Sequence, residues 1–167
     1  MIDRIAPTLR PPGRPAGFQR WRQLLFLHWK VDPKALAASL PAGLELDLHE
    51  GEAWIGIVPF TMRDVSPWWS PSVPGISNFH ELNVRTYVHR EGVPGVWFFS
   101  LDAANSIAVG IARSRWRLPY HKASMTMDVR DDRCHYLSER SWPGPIPATF
   151  EARYRFGPFL RSAAPDL

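Results

Sequence analysis

The sequence has little cysteine and no long hydrophobic run. Its single cysteine, Cys134, cannot form an internal disulfide, so a reducing compartment is the default environment. The longest early apolar segment, residues 24–29, is too short for the core of a signal peptide and far too short to span a membrane. We therefore expect a cytoplasmic protein that does not associate with membranes.

The familiar signatures of catalytic and metal sites are missing as well. The sequence has no glycine-rich phosphate loop and no G-x-S-x-G motif, which excludes classical nucleotide-dependent enzymes and hydrolases. No two of its six histidines have the spacing of a common metal site. We therefore expect neither a metal nor an organic cofactor. The histidines are His28, His49, His80, His89, His121 and His135.

Lysine is scarce, with three residues against seventeen arginines. Because a lysine can act as a nucleophile and an arginine cannot, each lysine is a candidate for a chemical role. The net charge of +4 does not indicate nucleic-acid binding, because residues 1–30 alone carry +5 and the remainder carries −1. A nucleic-acid site would need a basic stripe with exposed aromatic side chains on a folded face. We expect no nucleic-acid partner.

The length and composition predict one mainly β domain. A chain of 167 residues can bury a core, and 17 prolines with 13% aromatic residues favour short strands joined by stiff turns. We expect an Arg/Pro-rich flexible tail over residues 1–20, one domain over residues 21–157 and a short tail over residues 158–167. About eight closely spaced strands without a βαβ rhythm predict an antiparallel, closed or nearly closed β-barrel with two short helices.

Periodicity and turn residues predict the elements of this domain. Asp32 is the expected N-cap of the first helix, and Asn105 or Ser106 is that of the second. The second helix should bury Ile107, Ala108, Ile111 and Ala112. The predicted elements are a strand over 24–31, a helix over 34–40, a hairpin of 44–49 with 53–62, a loop over 63–78, a helix ending near 114, a hairpin of 123–130 with 133–140 and a strand over 149–156.

One strand-like segment places four polar side chains on a single face. Strict alternation puts Glu81, Asn83, Arg85 and Tyr87 on one side of it. If that side faces the lumen of a barrel, Glu81 and Arg85 would pair there, and Arg85 would hold a carboxylate in a bidentate fork. The alternative is a solvent-facing strand with cross-strand ion pairs.

A second polar cluster follows soon afterwards. Tyr120, His121 and Lys122 come directly after Pro119, and they would complete a pocket if they converged on the row of four. Charge and spacing alone favour the alternative, which is a surface turn with a solvated Lys122.

Three tryptophans are candidates for apolar walls of such a pocket. Trp68 and Trp69 lie in the predicted loop, and a loop of this length in a compact domain tends to be functional or mobile. They would cap the pocket, or else pack outside the barrel or against another subunit. Trp97 would supply a further apolar wall.

Four segments of the sequence resemble one known family. PAGLELDLHEGEAWIGIVPFTM, ELNVRTYV, PGVWFFSLDA and ARSRWRLPYHKASM look like the YqjF-like family, domain of unknown function 2071 (DUF2071), over about residues 20–156. That family is similar, more distantly, to acetoacetate decarboxylase. The resemblance implies a cone-shaped antiparallel β-barrel with a central cavity.

The resemblance also bears on the chemistry. Acetoacetate decarboxylase uses a lysine that forms a Schiff base, in a motif of the form Gly-aromatic-Pro-Lys-Lys. Here Tyr120 occupies the position of that lysine and His121 that of its activating neighbour, whereas Lys122 comes one or two places late. Glu81 falls where the relatives also carry a glutamate near the cavity. The resemblance therefore implies a retained acid and a missing nucleophile.

Two functions stay open at this point. The first is a binding module in which Arg85 anchors a small acidic or carbonyl-containing molecule beside Glu81, Asn83, Tyr120 and His121, without Schiff-base chemistry. The second is an enzyme of the same fold that acts on a keto acid or enolisable substrate, with Tyr120 or His121 as general acid/base and Glu81 as partner. A weaker version of this second hypothesis is a lysine-dependent enzyme that uses Lys122.

A structural role through assembly is the third alternative. YqjF-like proteins continue beyond the segment that matches TFEARYRFGPF, whereas this chain ends in LRSAAPDL. We expect an open sheet edge, which a second subunit fills in a homo-oligomer or which a truncated chain leaves uncovered.

Overall fold

The computed structural model describes residues 2–144 and 147–158. These residues form nine strands, two α-helices and a short 3-10 turn at Ala6–Thr8. The strands are β1 (Gly17–Arg22), β2 (Leu27–Val31), β3 (Glu45–Leu46), β4 (Ala53–Pro67), β5 (Phe79–Arg90), β6 (Val93–Ala103), β7 (Tyr120–Arg130), β8 (Arg133–Trp142) and β9 (Thr149–Arg155), and the helices are α1 (Pro33–Ala37) and α2 (Ser106–Arg115).

All nine strands belong to one mixed sheet. Its order is β1-β4-β5-β6-β7-β8-β9, with β2 also paired to β4 and β3 to β5. The prediction of a mainly β chain with two short helices is confirmed. The closed barrel is not confirmed, because no hydrogen-bonded ladder among the described residues joins β9 back to β1.

The sheet is also not wholly antiparallel. The chain leaves β6, forms α2 and returns as β7 alongside β6 in the parallel direction, so that Leu101 pairs with Tyr120. A helical crossover permits this pairing, because parallel neighbours need a long connection between them.

The predicted hairpin of residues 44–49 with 53–62 is wrong. Both edges of β4 are already occupied along this stretch, one by β2 and the other by β5. β3 pairs with β5 instead, with Glu45 opposite His89. Only an isolated bridge between His49 and Glu52 remains of the hairpin.

The first predicted strand, over 24–31, corresponds to β2, and β1 is an additional strand that the sequence analysis did not predict. β1 and β2 lie one after the other along the same edge of β4, and β1 begins at Gly17, inside the segment predicted to be a flexible tail. Gly17 lies so close to β4 that an added Cβ would be 2.5 Å from the carbonyl oxygen of Ser66. The predicted loop over 63–78 is shorter than expected, because β4 continues to Pro67.

Local signals located several elements correctly. The side chain of Asp32 accepts a hydrogen bond from the Lys34 amide and caps α1. The β7–β8 hairpin turns at Asp131-Asp132, and β9 follows where the last strand is predicted. The sequence also predicts a proline-rich connection over residues 142–147, of which residues 145–146 lie outside the described residues.

The N-cap of α2 is the predicted one, but the set of side chains that the helix buries is different. The side chain of Asn105 accepts hydrogen bonds from the backbone amides of the first turn. Val109 and Ala112 are the buried side chains, whereas Ile107 and Ile111 are about half exposed. Of the four predicted side chains, Ala112 is therefore buried and Ala108 is half-buried, so the apolar stripe is narrower than expected. No helix among the described residues is long and apolar enough to cross a bilayer.

The core that supports the polar row comes from β4. Val58, Phe60 and Met62 alternate along this strand and are fully buried, and they pack against partly buried neighbours that include Phe79. Val58 pairs with Asn83 of β5, and Phe60 pairs with Glu81. Directly paired residues share a face of a sheet, so the polar side chains of β5 lie beside this apolar cluster.

Candidate functional site

The row of four polar side chains lies on the face of β5 that borders the core. Glu81 and Asn83 are only 2% and 5% exposed, whereas Arg85 and Tyr87 are half-buried. Burial of a carboxyl and an amide this deep is costly unless hydrogen bonds compensate it. The row is therefore not a solvent-facing strand.

The inner end of the row meets the second predicted cluster. The Tyr120 hydroxyl donates a hydrogen bond to Glu81 Oε2 at 3.1 Å, and the Tyr136 hydroxyl donates to the Glu81 carbonyl oxygen at 2.9 Å. The parallel β6–β7 pairing makes the first contact, because it sets Tyr120 beside Leu101, which itself pairs with Asn83. Tyr120 of the second cluster therefore lies against the polar row at Glu81.

Burial controls the charge of this pair. It raises the pKa of Glu81 from 4.5 to about 7, against the opposing effect of hydrogen bonds from Tyr120 and Asn83. It also raises the pKa of Tyr120, and the charge of Glu81 adds to the increase. Glu81 can therefore exchange a proton near neutral pH while Tyr120 stays a hydrogen-bond donor.

Arg85 does not pair with Glu81. Four residues separate them, which is about 13 Å along a strand. The guanidinium lies instead over the rings of Phe26 and Tyr87, at 5.3 and 5.9 Å from their centroids. Among residues 2–144 and 147–158, Arg85 forms no ion pair. Its Nε and the Oδ1 of Asn83 are buried without a hydrogen-bond partner in the described structure.

A small cavity adjoins the outer end of the row. The Nε2 of His28 lies 2.7 Å from the Tyr87 hydroxyl, and the pKa of His28 is lowered by burial and by Arg85. Gly56 leaves room for the His28 ring, since an added Cβ would be 3.2 Å from His28 Nε2, and it also lies beside Arg85, whose Cγ would be 3.5 Å from that Cβ. The cavity has a volume of about 350 Å³ and is lined by Arg4, His28, Asp47, Leu48, His49, Trp54 and Tyr87.

His121 belongs to a different group of side chains. It pairs with Asp102 across the β6–β7 ladder, one residue on from Tyr120 and therefore on the opposite face. Asp102 Oδ1 accepts a hydrogen bond from Arg140 Nε at 3.0 Å, and the ion pair brings Arg140 Nη2 to 2.8 Å from the same oxygen. His121 Nδ1 is 3.7 Å from the same oxygen. Burial, followed by the charge of Arg140, lowers the pKa of His121, and Asp102 opposes the change.

Lys122 lies near Glu81 in register but not in contact with it. Ala103 pairs with Glu81 on one side and with Lys122 on the other, and Lys122 is two residues on from Tyr120. By strand alternation, Lys122 is therefore on the same face of β7 as Tyr120. A bulge follows it, its side chain is exposed, and it forms no ion pair within the described part of the chain.

The three predicted tryptophans lie away from the row. Trp97 is directly opposite Thr86, on the other face of β5, because a bulge after Val84 shifts the β5–β6 pairing. Trp68 and Trp69 follow the far end of β4 and are 49% and 71% exposed. The Arg14 guanidinium lies over the Trp68 ring at 4.5 Å.

The structure adds residues that the sequence pattern did not indicate. Phe98, and not the predicted Trp97, is the aromatic side chain of β6 directly opposite Arg85. Phe26 and His28 reach the row from β2 and the segment before it, where strand alternation gives no sign of a partner. Among the described residues no three His, Cys, Asp or Glu side chains converge as a metal site would require.

Comparison with known proteins gives one family and one fold. Residues 18–166 match the family DUF2071, described as an uncharacterized conserved protein. The chain is 43% identical over 137 residues to the uncharacterized protein YqjF of Bacillus subtilis (strain 168). The aligned region covers 82% of this chain and 56% of the relative. The chain therefore spans little more than half the length of this curated relative.

The similar solved structures are acetoacetate decarboxylase-like. Acetoacetate decarboxylase from Legionella pneumophila matches with a TM-score of 0.59 and 20% identity over 78% of this chain and 50% of that one. A second match is the enduracididine biosynthesis enzyme MppR in complex with the condensation product of pyruvate and imidazole 4-carboxaldehyde. Its TM-score is 0.55 and its identity is 16%, over 78% of this chain and 52% of that one. At these identities the likeness concerns the fold.

Proposed function

This chain belongs to the DUF2071 family, and we propose that it binds a small acidic or carbonyl-containing molecule without forming a Schiff base. Arg85 anchors the acidic group of this ligand, and Asn83 holds its other end. Glu81 and Tyr120 close the inner end of the site.

The unsatisfied polar atoms of Arg85 and Asn83 carry this proposal. Buried donors and acceptors almost always have hydrogen-bond partners, and each exception needs an explanation. Here Arg85 Nε and Asn83 Oδ1 lack a partner among the described residues, and they are neighbours on one face of β5. A ligand with an acidic group and a hydrogen-bond donor would satisfy both atoms.

The dimensions of the site suit a short molecule. Neighbouring same-face residues of a strand are about 6.6 Å apart, so Arg85 and Asn83 can contact the two ends of a molecule of three or four carbons. Arginine binds a carboxylate through a bidentate fork, and the rings of Phe26 and Tyr87 exclude water from one side of the guanidinium.

Two structural relatives suggest keto acids as the ligand class. One is an acetoacetate decarboxylase, and the other is an enzyme in complex with a condensation product of pyruvate. Tyr120 stands where the resemblance implies a Schiff-base lysine, and a phenol cannot form an imine. These two points together favour binding of a keto acid over decarboxylation through an imine.

The Glu81–Tyr120 hydrogen bond favours a second candidate function. A carboxyl with a pKa of about 7 next to a phenol is suited to general acid/base chemistry on an enolisable substrate. In that case Glu81 removes or returns the proton, and Tyr120 holds a hydrogen bond to the developing oxyanion. His121, on the other side of β7, takes no part in this version.

We further propose that the protein acts in the cytoplasm and that its sheet forms part of the wall of a cone-shaped barrel. A second copy of the chain would cover the open sheet edge in a homo-oligomer. The buried thiol of Cys134 suits a reducing environment.

The experiment is a calorimetric titration with pyruvate and acetoacetate, each compared with its methyl ester. We expect the acids to bind more tightly than the esters, and Arg85→Gln to weaken acid binding at least tenfold. Arg90→Gln, which changes an exposed arginine on the same strand, is the matched control and should bind normally. Equal affinity for acids and esters would refute the anchoring role of Arg85.

The same samples separate the two candidate functions. Proton NMR of each acid over several hours, with and without the protein, should show no consumption if the protein only binds. Consumption or exchange of the protons next to the carbonyl, abolished in Glu81→Gln, would establish the acid/base enzyme instead.

A further inference from the structure

Three arginines form a straight row across the last three strands, which is a surface separate from the site on β5. Arg130 of β7 is directly opposite Arg133 of β8, and Arg133 is directly opposite Arg155 of β9. All three side chains are exposed. Directly opposite residues of antiparallel strands have Cβ atoms about 5 Å apart, and like charges in that position are destabilising.

Carboxylates of this face are already paired with arginines, one of them with Arg130 of the row itself. Asp128 pairs with Arg130 Nε at 3.0 Å, and Glu151 pairs with Arg153 Nη2 at 2.8 Å. Within the described ranges, Arg133 and Arg155 form no ion pair. Arg133 and Arg155, which are directly opposite each other, therefore lack a neutralising partner there.

The aspartates of the adjacent turn do not neutralise them either. Asp131 and Asp132 occupy the tip of the β7–β8 hairpin, and neither forms an ion pair with the row in the described structure. The Asp132 carbonyl oxygen accepts the amide hydrogen of Phe156, which fixes the end of β9 beside the turn. The backbone pairing therefore fixes Arg133 and Arg155 beside each other, whereas Arg130 is also paired with Asp128.

A concavity of about 710 Å³ lies over the row. This volume is in the range of small-molecule sites, and half of its lining residues are arginines, where such sites usually carry only a few charged groups. It is lined by Asp128, Arg130, Arg133, Cys134, His135, Arg153, Tyr154 and Arg155. Four guanidinium groups in one concavity indicate an anionic ligand that presents several acceptor oxygens.

We propose that this concavity binds a small molecule with two or three linked phosphate groups. Adjacent strands are about 4.8 Å apart, so Arg130, Arg133 and Arg155 present their guanidinium groups in regular steps. A linear chain of phosphates contacts each in turn and removes the repulsion between them. The bound anion therefore contributes stability as well as occupying the site.

A single-stranded nucleic acid fits the surface less well. Proteins that bind single strands combine basic grooves with exposed aromatic rings on which successive bases stack. The lining of the concavity contains one aromatic side chain, Tyr154, and this side chain is half-buried. The site therefore recognises phosphate groups and offers no stacking platform for bases.

The test is a calorimetric titration of the full chain with inorganic tripolyphosphate, pyrophosphate and orthophosphate in about 150 mM salt. We expect tripolyphosphate to bind at least tenfold more tightly than orthophosphate. Arg133→Gln, the central change, should weaken tripolyphosphate binding at least tenfold without lowering the melting temperature of the ligand-free protein. Arg90→Gln removes an exposed arginine elsewhere and should leave binding unchanged.

Three outcomes would overturn the proposal. The first is no saturable binding of tripolyphosphate. The second is an equal loss of affinity in Arg90→Gln, which would indicate nonspecific attraction. The third is binding of a single-stranded RNA oligomer more tightly than tripolyphosphate and with the same dependence on Arg133, which would make the surface a nucleic-acid site. Pyruvate binding at Arg85 should be unaffected by Arg133→Gln, so the two proposals fail independently.

Discussion

Tyr120 donates a hydrogen bond to Glu81 across 39 residues of sequence, at a donor–acceptor distance of 3.1 Å. The contact joins β5 to β7 over the intervening β6 and rests on the one parallel ladder found among the described strands. It brings together an acid and a phenol that lie far apart along the chain. The charge of Glu81 and the geometry of the inner site both depend on this contact.

Tyr120→Phe should raise the pKa of Glu81 above 7, because the hydroxyl hydrogen bond stabilises the carboxylate. Loss of the donor should also lower the free energy of unfolding by about 1–3 kcal/mol. Carbon-13 NMR of labelled glutamate side chains measures the titration. Tyr136→Phe is the control, since it removes a hydrogen bond to the Glu81 backbone carbonyl. It should destabilise the protein similarly and leave the pKa of Glu81 unchanged.

Glu81→Gln should change how stability depends on pH. The folded protein binds the Glu81 proton more tightly than the unfolded chain does, because the pKa rises from 4.5 to about 7 on folding. The stability of the natural protein relative to the variant is therefore greatest below about pH 4.5 and declines as the pH rises to about 7, by roughly 3 kcal/mol in total. Urea unfolding at several pH values measures this difference. A difference that does not vary between pH 5 and 8 would contradict the buried, protonated Glu81.

Gly56→Ala should disturb the outer end of the row. The new methyl group would lie 3.2 Å from His28 Nε2, so the His28 ring must shift by a few tenths of an ångström, whereas its distance of 3.5 Å from Arg85 Cγ is an ordinary contact. We expect several-fold weaker binding of pyruvate and a loss of about 1–3 kcal/mol in stability. Gly95→Ala is the matched control, because a Cβ on this other strand glycine meets nothing within 4 Å. Equal effects of the two substitutions on pyruvate binding would show that Gly56 does not belong to the binding site.

Asp102→Asn should be strongly destabilising. Asp102 and Arg140 have side chains that are 3% and 12% exposed, and removal of the carboxylate leaves a buried guanidinium without its partner. Breaking such a pair costs about 3–5 kcal/mol. Asp64→Asn, which removes an exposed partner of Arg20, should cost less than about 1 kcal/mol. Chemical denaturation of both variants measures the contrast, and similar costs would show that the Asp102 pair is not buried as described.

The locally encoded parts of the fold could be predicted from the sequence. The alternation along β5 located the polar row, because side chains of a strand point to opposite faces in turn. Asp32 and the Asp131-Asp132 turn located a helix start and a hairpin for equally local reasons. Glu81 and Tyr120 were both candidates, although only the β6–β7 ladder brings them together.

The parts that depend on distant pairing could not be predicted. A single bulge after Val84 sets Phe98, and not Phe99, opposite Arg85, and it sets Trp97 opposite Thr86 instead of Tyr87. The pairing of β3 with β5 follows from competition for the edges of β4, which no local pattern records. Strand order and register arise from long-range packing, and a one-residue shift turns a side chain to the other face.

The most direct test of noncovalent binding is a mass measurement with and without borohydride. The protein is incubated with pyruvate or acetoacetate, and its mass is recorded under native conditions and, after borohydride reduction, under denaturing conditions. Lys122→Ala is measured alongside, because Lys122 lies near Glu81 in register. We predict a one-to-one complex in the native spectrum and an unmodified chain after reduction. A reduced adduct on the natural protein that is absent from Lys122→Ala would contradict the account and make Lys122 an imine-forming residue.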